Sequence, residues 1–301
     1  MVEEMDDVVR VSSRWARERL VAYRDEAEFK QLGRRPPELM WRAMSRCPVA
    51  RRDAGGVQLE GRLLLLGGVV EGGGPYAFVD ALEMRRGRWK DRWPLPEGWS
   101  GSRIAVAGDG ERFAYAAAGA VAQAAAFDLF EGRWSGLPPL PRATASPAAA
   151  LRWNRWHVLG SEGHWSLAVA GGQALEARWR VEPVLPSAAL RPAAAVLEAR
   201  LVVLTGGRTW LLEAGSEAWR SGTPPAVPVE EVESAIVARG STAILVGGTS
   251  TGAPSDVVQT YDASADRWTL SGRMPYRSTA VVAGFHGDFL YFTTGQRDRG
   301  P

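Results

Sequence analysis

Short apolar runs, bounded by glycine and polar turns, recur along this chain from residue 39 onward. Leu63-Leu64-Leu65-Leu66, Leu201-Val202-Val203-Leu204 and Ala243-Ile244-Leu245-Val246 are the strongest. Such runs are too short for core helices, and their flanking turn residues mark them as strands buried on both faces. A strand of smaller residues precedes each one, as in Ser278-Thr279-Ala280-Val281-Val282-Ala283. The loop leading into it contains proline and often ends in arginine: Pro48-Val49-Ala50-Arg51, Pro139-Leu140-Pro141-Arg142 and Met274-Pro275-Tyr276-Arg277. After the apolar run comes a step of Gly-Gly type. A third strand with an aromatic and an acid follows, as in Val258-Gln259-Thr260-Tyr261-Asp262. The unit closes on a turn and a tryptophan: Arg86-Gly87-Arg88-Trp89, Glu131-Gly132-Arg133-Trp134, Ala265-Asp266-Arg267-Trp268.

The second residue of the glycine step falls at Gly68, Gly119, Ser161, Gly207, Gly248 and Gly295, a spacing of roughly 45 residues. Four short strands per unit at this period predict an all-β propeller of six blades. The glycines give room where neighbouring blades crowd, and the tryptophans supply an apolar face between blades. The last step, Thr294-Gly295, has no tryptophan after it, and Trp41 at the front of the chain stands in for it. The last blade then takes inner strands from residues 275–295 and its outer strand from residues 39–44, with its third strand missing and a sheet edge exposed. Phe113 to Phe127, the longest uncharged run, reads as strands of one repeat.

Residues 1–38 follow a different pattern and are expected to form a helical extension to a propeller over 39–301. Ser12 or Ser13 caps a helix on which Ala16, Leu20, Tyr23 and Ala27 share one face, and Gly33 with Pro36-Pro37 ends it. No stretch approaches the ~20 apolar residues of a membrane span, and the acidic start Met1-Val2-Glu3-Glu4-Met5-Asp6-Asp7 is neither a signal nor a transit peptide.

Composition narrows the function classes. With 36 basic and 34 acidic residues, the net charge of +2 gives no nucleic-acid footprint. A single cysteine, Cys47, leaves no intrachain disulfide. The histidines are His157, on an apolar strand, His164, and His286, in a turn; with one cysteine they make no convergent copper set. Neither a nucleophile elbow nor a phosphate-binding glycine loop occurs, and Gly72-Gly73-Gly74, before Pro75, is a loop rather than a phosphate cradle. The expectation is therefore no enzyme, no cofactor and no metal.

Double glycine followed by spaced tyrosine and tryptophan resembles the kelch repeat. Four segments narrow the likeness to plant kelch-repeat proteins grouped with the galactose oxidase central-domain superfamily: Glu38-Leu39-Met40-Trp41, Leu137-Pro138-Pro139-Leu140-Pro141-Arg142, Glu162-Gly163-His164-Trp165-Ser166-Leu167-Ala168-Val169 and the tail from Tyr291 to Pro301 with Gly295-Gln296-Arg297-Asp298. The resemblance covers residues 38–301. It implies a non-catalytic protein-interaction module, with glycan recognition or processing in the endomembrane system as the alternative. Such relatives carry an N-terminal hydrophobic anchor linked to the Golgi and continue past the tail into a further strand. This chain shows neither, so on its own it reads as soluble and cytoplasmic, with the Golgi or another endomembrane as the place if it follows its anchored relatives; a monomer is expected.

In a propeller the inner strands surround a central channel, and the loops leading into them crowd one face. Arg51, Arg52, Arg103, Arg142, Arg191 and Arg277 all stand at such entries. One reading has each arginine bonding a neighbouring blade's carbonyls or pairing with a local carboxylate. The other makes Arg51, Arg103, Arg142, Arg191 and Arg277 an anion-receptive face for acidic peptide segments of a partner, with His164 and Trp165 as a stacking platform.

Overall fold

The apolar runs are buried along nearly their whole length, as strands covered on both faces must be: Arg62–Leu66, Phe113–Ala118, Arg155–Gly160, Arg200–Thr205 and Thr242–Val246. The computed structural model describes residues 7–12, 41–187, 191–229 and 235–297, the first of these segments as backbone. Each run is the second strand of an antiparallel sheet whose strands follow one another outward in chain order. The first blade is Gly55–Leu59, Arg62–Leu66, Phe78–Glu83 and Arg88–Pro94. Four more blades repeat the plan, starting from the inner strands Ile104–Gly108, Ala148–Arg152, Ala193–Leu197 and Ala235–Arg239. The chain is thus an all-β propeller. As the sequence suggests, the uncharged run pairs within one blade, Phe113–Ala118 against Gln123–Asp128.

A further sheet joins the two ends of the chain, in the order Trp41–Arg46, Asp7–Ser12, Phe289–Thr293, Val282–His286. Val9, Arg10, Val11 and Ser12 face Phe292, Tyr291, Leu290 and Phe289 on one side, while Val9, Arg10 and Val11 face Ala43, Arg42 and Trp41 on the other. The expectation of an incomplete blade with a missing third strand is therefore overturned. Asp7-Val8-Val9-Arg10-Val11-Ser12 is rich in β-branched residues, and pairing it on both edges leaves no open ladder between Phe289–Thr293 and Trp41–Arg46. Residues 7–12 are therefore a strand, and the helix expected after Ser12 lies outside the described residues.

The outer-strand tryptophans tie each sheet to the preceding one with more than apolar contact. Their indole N–H groups donate backward around the ring: Trp89 to Ser45 O at 3.3 Å, Trp134 to Pro94 O at 3.0 Å, Trp179 to Pro138 O at 2.9 Å and Trp219 to Pro183 O at 2.7 Å. Trp268 donates instead to Thr209 Oγ1 at 3.0 Å, on the third strand of the preceding blade, Arg208–Leu212. Trp41 fills the same role from the front of the chain, donating to Arg273 O at 2.6 Å and meeting Phe292 edge-on with ring centroids 5.1 Å apart.

Glycine is required where these strands enter and leave the crowded centre. At Gly68, with φ +103°, a Cβ would sit 2.7 Å from Arg52 O. At Gly56 it would sit 2.2 Å from Val282 Cγ1, across the junction of the first blade with the terminal sheet.

Candidate functional site

The inner strands alternate in burial, and the less buried set faces a channel. Gly56, Val106, Ala149, Ala194, Ile236 and Ala283, one from each inner strand, line a cavity of about 180 Å³. Small side chains at these positions keep the channel open and leave its wall without acid–base groups. At one mouth, the segments entering the inner strands form a smaller cavity of about 130 Å³ lined by Asp53, Arg103, Ser146, Pro147, Arg191 and Ala280 among others.

The predicted arginines separate into three kinds. Arg103 and Arg191 come together at this mouth. Arg103 Nη2 lies 2.9 Å from Asp53 Oδ1, and Arg52 Nη1 holds the other oxygen of the same carboxylate at 2.8 Å. Arg191 is held with φ +48°, a left-handed conformation that non-glycine residues adopt only where the surroundings impose it. Arg142, on a connection, and Arg277, in the strand Arg267–Thr279, are exposed and do not line the mouth. Arg51 is not on the surface at all.

Arg51 is a buried structural cation. Its side chain is 0% exposed, and Nη1 sits 2.8 Å from Asp80 Oδ2, itself 2% exposed. It also donates to Val49 O at 3.2 Å and Leu65 O at 3.4 Å, and stacks over Tyr76 at 4.4 Å from the ring centroid. Arg92 completes the cluster from the outer strand, Nε to Asp80 Oδ1 at 2.7 Å. Burial, then the negative charge of Asp80, pushes the Tyr76 phenol up to about 12. For Arg51 and Arg103 pairing with a local carboxylate, the blander of the two readings, is what the structure shows.

His164 and Trp165 form no stacking platform. Both belong to the buried strand Gly163–Ala170, and Trp165 packs with Trp156 and Leu167 in the core between blades. His164 Nδ1 lies 3.0 Å from Pro183 O, an acceptor, so this nitrogen carries the proton. His164 Nε2 then accepts from His157 Nδ1 at 3.0 Å. Both rings are neutral: burial first pulls His157 down to about 2 and His164 to about 4. Pro183 O is also the acceptor of Trp219, so the pair buttresses one link of the tryptophan series. Nearby, Arg155 grips Glu176 with Nη1 and Nη2 at 3.1 and 3.0 Å and reaches Ser166 Oγ at 3.1 Å.

Sequence reasoning missed Asp53 and Asp80, the carboxylates that organise these arginines. Asp53 follows directly on Arg51-Arg52, and Asp80 interrupts an otherwise apolar strand, Phe78–Glu83. An acid inside an apolar run is a signal for a buried partner.

Taken with the repeat, this architecture is that of an all-β propeller whose repeat is similar to the kelch type. No protein-family model matches the chain. Among curated proteins, a kelch repeat-containing protein of Arabidopsis thaliana is 36% identical over 90 residues, covering 28% of this chain and 21% of that protein's length. The chain therefore matches about a fifth of the relative, and the likeness to plant kelch-repeat proteins rests on that segment together with the fold. No helix among the described residues is long and apolar enough to cross a membrane.

Proposed function

We propose that this chain is a six-bladed kelch propeller, the terminal sheet being the sixth blade, and that it acts as a non-catalytic protein-interaction module. Supporting six blades, Val282–His286 neighbours both Ala235–Arg239 and Gly55–Leu59, so the inner strands stand in an unbroken round. The face used is the channel mouth, and the ligand is an acidic peptide segment of a partner protein. The observation that carries this reading is that Arg103 and Arg191 line one cavity at the mouth, where Arg103 shares Asp53 with Arg52. Arginine forks favour carboxylates bidentately, and a rim of several gives charge complementarity to an acidic segment.

A glycan site is expected to set several aromatic rings and carboxylates around one pocket. The mouth carries one carboxylate, Asp53, already shared by two arginines, and its lining has no aromatic residue. That favours a peptide over a sugar. The test is fluorescence anisotropy with a labelled oligoglutamate peptide, at low and at physiological salt. Arg103→Ala with Arg191→Ala is expected to weaken binding about tenfold while the melting temperature falls by no more than a few degrees. Unchanged binding in that double variant, or equal binding of an oligolysine peptide, rules the proposal out.

A further inference from the structure

On the outer wall of the ring, cations collect where the first blade meets the terminal sheet. Gly87, in the turn before the first blade's outer strand, packs so closely on Met44 that a Cβ there would run into the Met44 methyl group. Just beyond it, Trp89 donates to Ser45 O. These contacts set Arg85, Arg86, Arg88 and Lys90 beside the strand Trp41–Arg46, which carries Arg42, and all five side chains are exposed. Arg42, Arg85, Arg88 and Lys90 make no ion pair among the described residues. Arg86 lies 3.5 Å from Glu83 and keeps its side chain 69% exposed. Arg46 and Arg92 have partners, and Asp91 pairs with Arg62, so none of these three enters the patch.

The repeat supplies an internal control. Arg88 precedes the outer-strand tryptophan as Arg133 and Arg267 do in the second and fifth blades, so it belongs to the common plan. Arg85 and Arg86 do not. The same turn positions hold Phe130 and Glu131 in the second blade, and Ser264 and Ala265 in the fifth. Lys90 stands where those blades have Ser135 and Thr269. Charge on an outer strand serves to keep an open sheet edge from pairing with another chain. The second and fifth blades manage their edges without these three cations, so edge protection does not account for them. Because the whole chain has a net charge of only +2, this cluster gives it a marked charge asymmetry.

We propose that this corner of the propeller docks on an anionic lipid surface. The chemistry of the patch suits a surface better than a bounded ligand, and none of its residues lines the channel or its mouth. None of the exposed large apolar side chains among the described residues belongs to Trp41–Arg46 or to residues 84–90. The patch therefore lacks the apolar anchor that centres a protein interface. Trp41 and Trp89 turn their rings into the blade boundaries and donate to backbone carbonyls, so they offer no platform for nucleic-acid bases. Anionic headgroups need neither anchor nor ring, because their surface potential attracts clustered Lys and Arg directly. Contact is peripheral and is made by Arg42, Arg85, Arg86, Arg88 and Lys90. The patch is separate from the channel mouth, so it stands whether or not acidic peptides bind there.

Sedimentation of the full chain with lipid vesicles tests this. At low salt, phosphatidylcholine vesicles containing about 30% phosphatidylserine are expected to carry the protein down, and pure phosphatidylcholine vesicles are not. Raising the salt from about 0.05 M to about 0.3 M is expected to weaken binding about tenfold, since exposed charges are screened. The combined variant Arg85→Gln, Arg86→Gln, Lys90→Gln is expected to lose at least about tenfold in vesicle affinity with its melting temperature unchanged. Arg133→Gln with Arg178→Gln and Arg267→Gln removes the same charge from other blades and is expected to bind as the unaltered chain does. Equal sedimentation with both kinds of vesicle, or equal losses in the two combined variants, overturns the proposal. So does a first variant that keeps its vesicle affinity but loses capture of an oligoglutamate peptide, a result that assigns the patch to an acidic protein partner.

Discussion

Arg51 and Arg142 occupy the same position in their repeats, yet the structure gives them opposite fates. Arg51 is enclosed beside Asp80, so truncating it strands a buried carboxylate with one remaining partner. Arg51→Ala is expected to destabilise the fold by about 3 kcal/mol, visible as a clear drop in melting temperature, whereas Arg142→Ala changes it little. Equal melting curves for the two variants contradict that placement. The recurrence of arginine was legible in the sequence. The difference was not, because it depends on Asp80, a residue in a different strand that only the sheet register brings under Arg51.

A second residue-scale prediction concerns pH. His157 and His164 are neutral when folded and have ordinary pKa values when unfolded, so the unfolded chain takes up more protons as pH falls. Their stabilising contribution is complete above pH 6.5 and is lost as pH drops towards the folded value of His164, about 4. Protonating His164 Nε2 also sets two donors face to face across the 3.0 Å contact with His157. For His164 the loss approaches about 3 kcal/mol between pH 7 and pH 4. Thermal melts over that range are expected to show a slope that His164→Asn reduces; a slope unchanged by the substitution removes the histidine from the account. Glu176, held down to about 2 by Arg155, acts in a lower window, its contribution fading as pH falls from 4.5 towards 2.

At the scale of the element, the backward-donating tryptophans explain why the repeat is so readable. Each tryptophan meets two demands at once, an apolar face for the blade boundary and a donor for an oxygen one blade back. The pattern of hydrophobic runs, glycine steps and tryptophans therefore gave the strand order within each blade. Asp7–Ser12 escaped it because a lone strand has neither step nor tryptophan, and because a serine beside an apolar stripe reads as a helix cap. Replacing Trp134 by Phe retains the ring against Phe127 but removes the bond to Pro94 O. A loss of about 1 kcal/mol follows, measurable by denaturant unfolding. Trp41→Phe is expected to cost as much or more, since it also loosens the sheet that joins the two ends. If Trp41→Phe proves neutral, its indole bond to Arg273 O does not hold the seam.

For the whole molecule the critical boundary is the one between the first blade and the terminal sheet. Gly56 and Val282 meet there with no space for a Cβ, so Gly56→Val is expected to destabilise by about 2 kcal/mol or more through overpacking. The same change at exposed Gly110, where nothing lies within 4 Å, tests only backbone strain. Removing residues 1–12 is expected to leave Phe289–Thr293 with an open edge and to promote self-association, detectable by light scattering. A truncated chain that stays monomeric and melts like the full chain contradicts the pairing at Asp7–Ser12.

That pairing also sets an order of events. Asp7–Ser12 leaves the ribosome long before its inner partner, Phe289–Thr293. Since domains assemble as the chain emerges, the five consecutive blades can take shape while the opening strand still waits for its mate. Joining Val9 to Phe292 reaches across all the intervening blades, and contacts of such long sequence separation form slowly. The seam between Asp7–Ser12 and Phe289–Thr293 is therefore expected to form after the blades it closes.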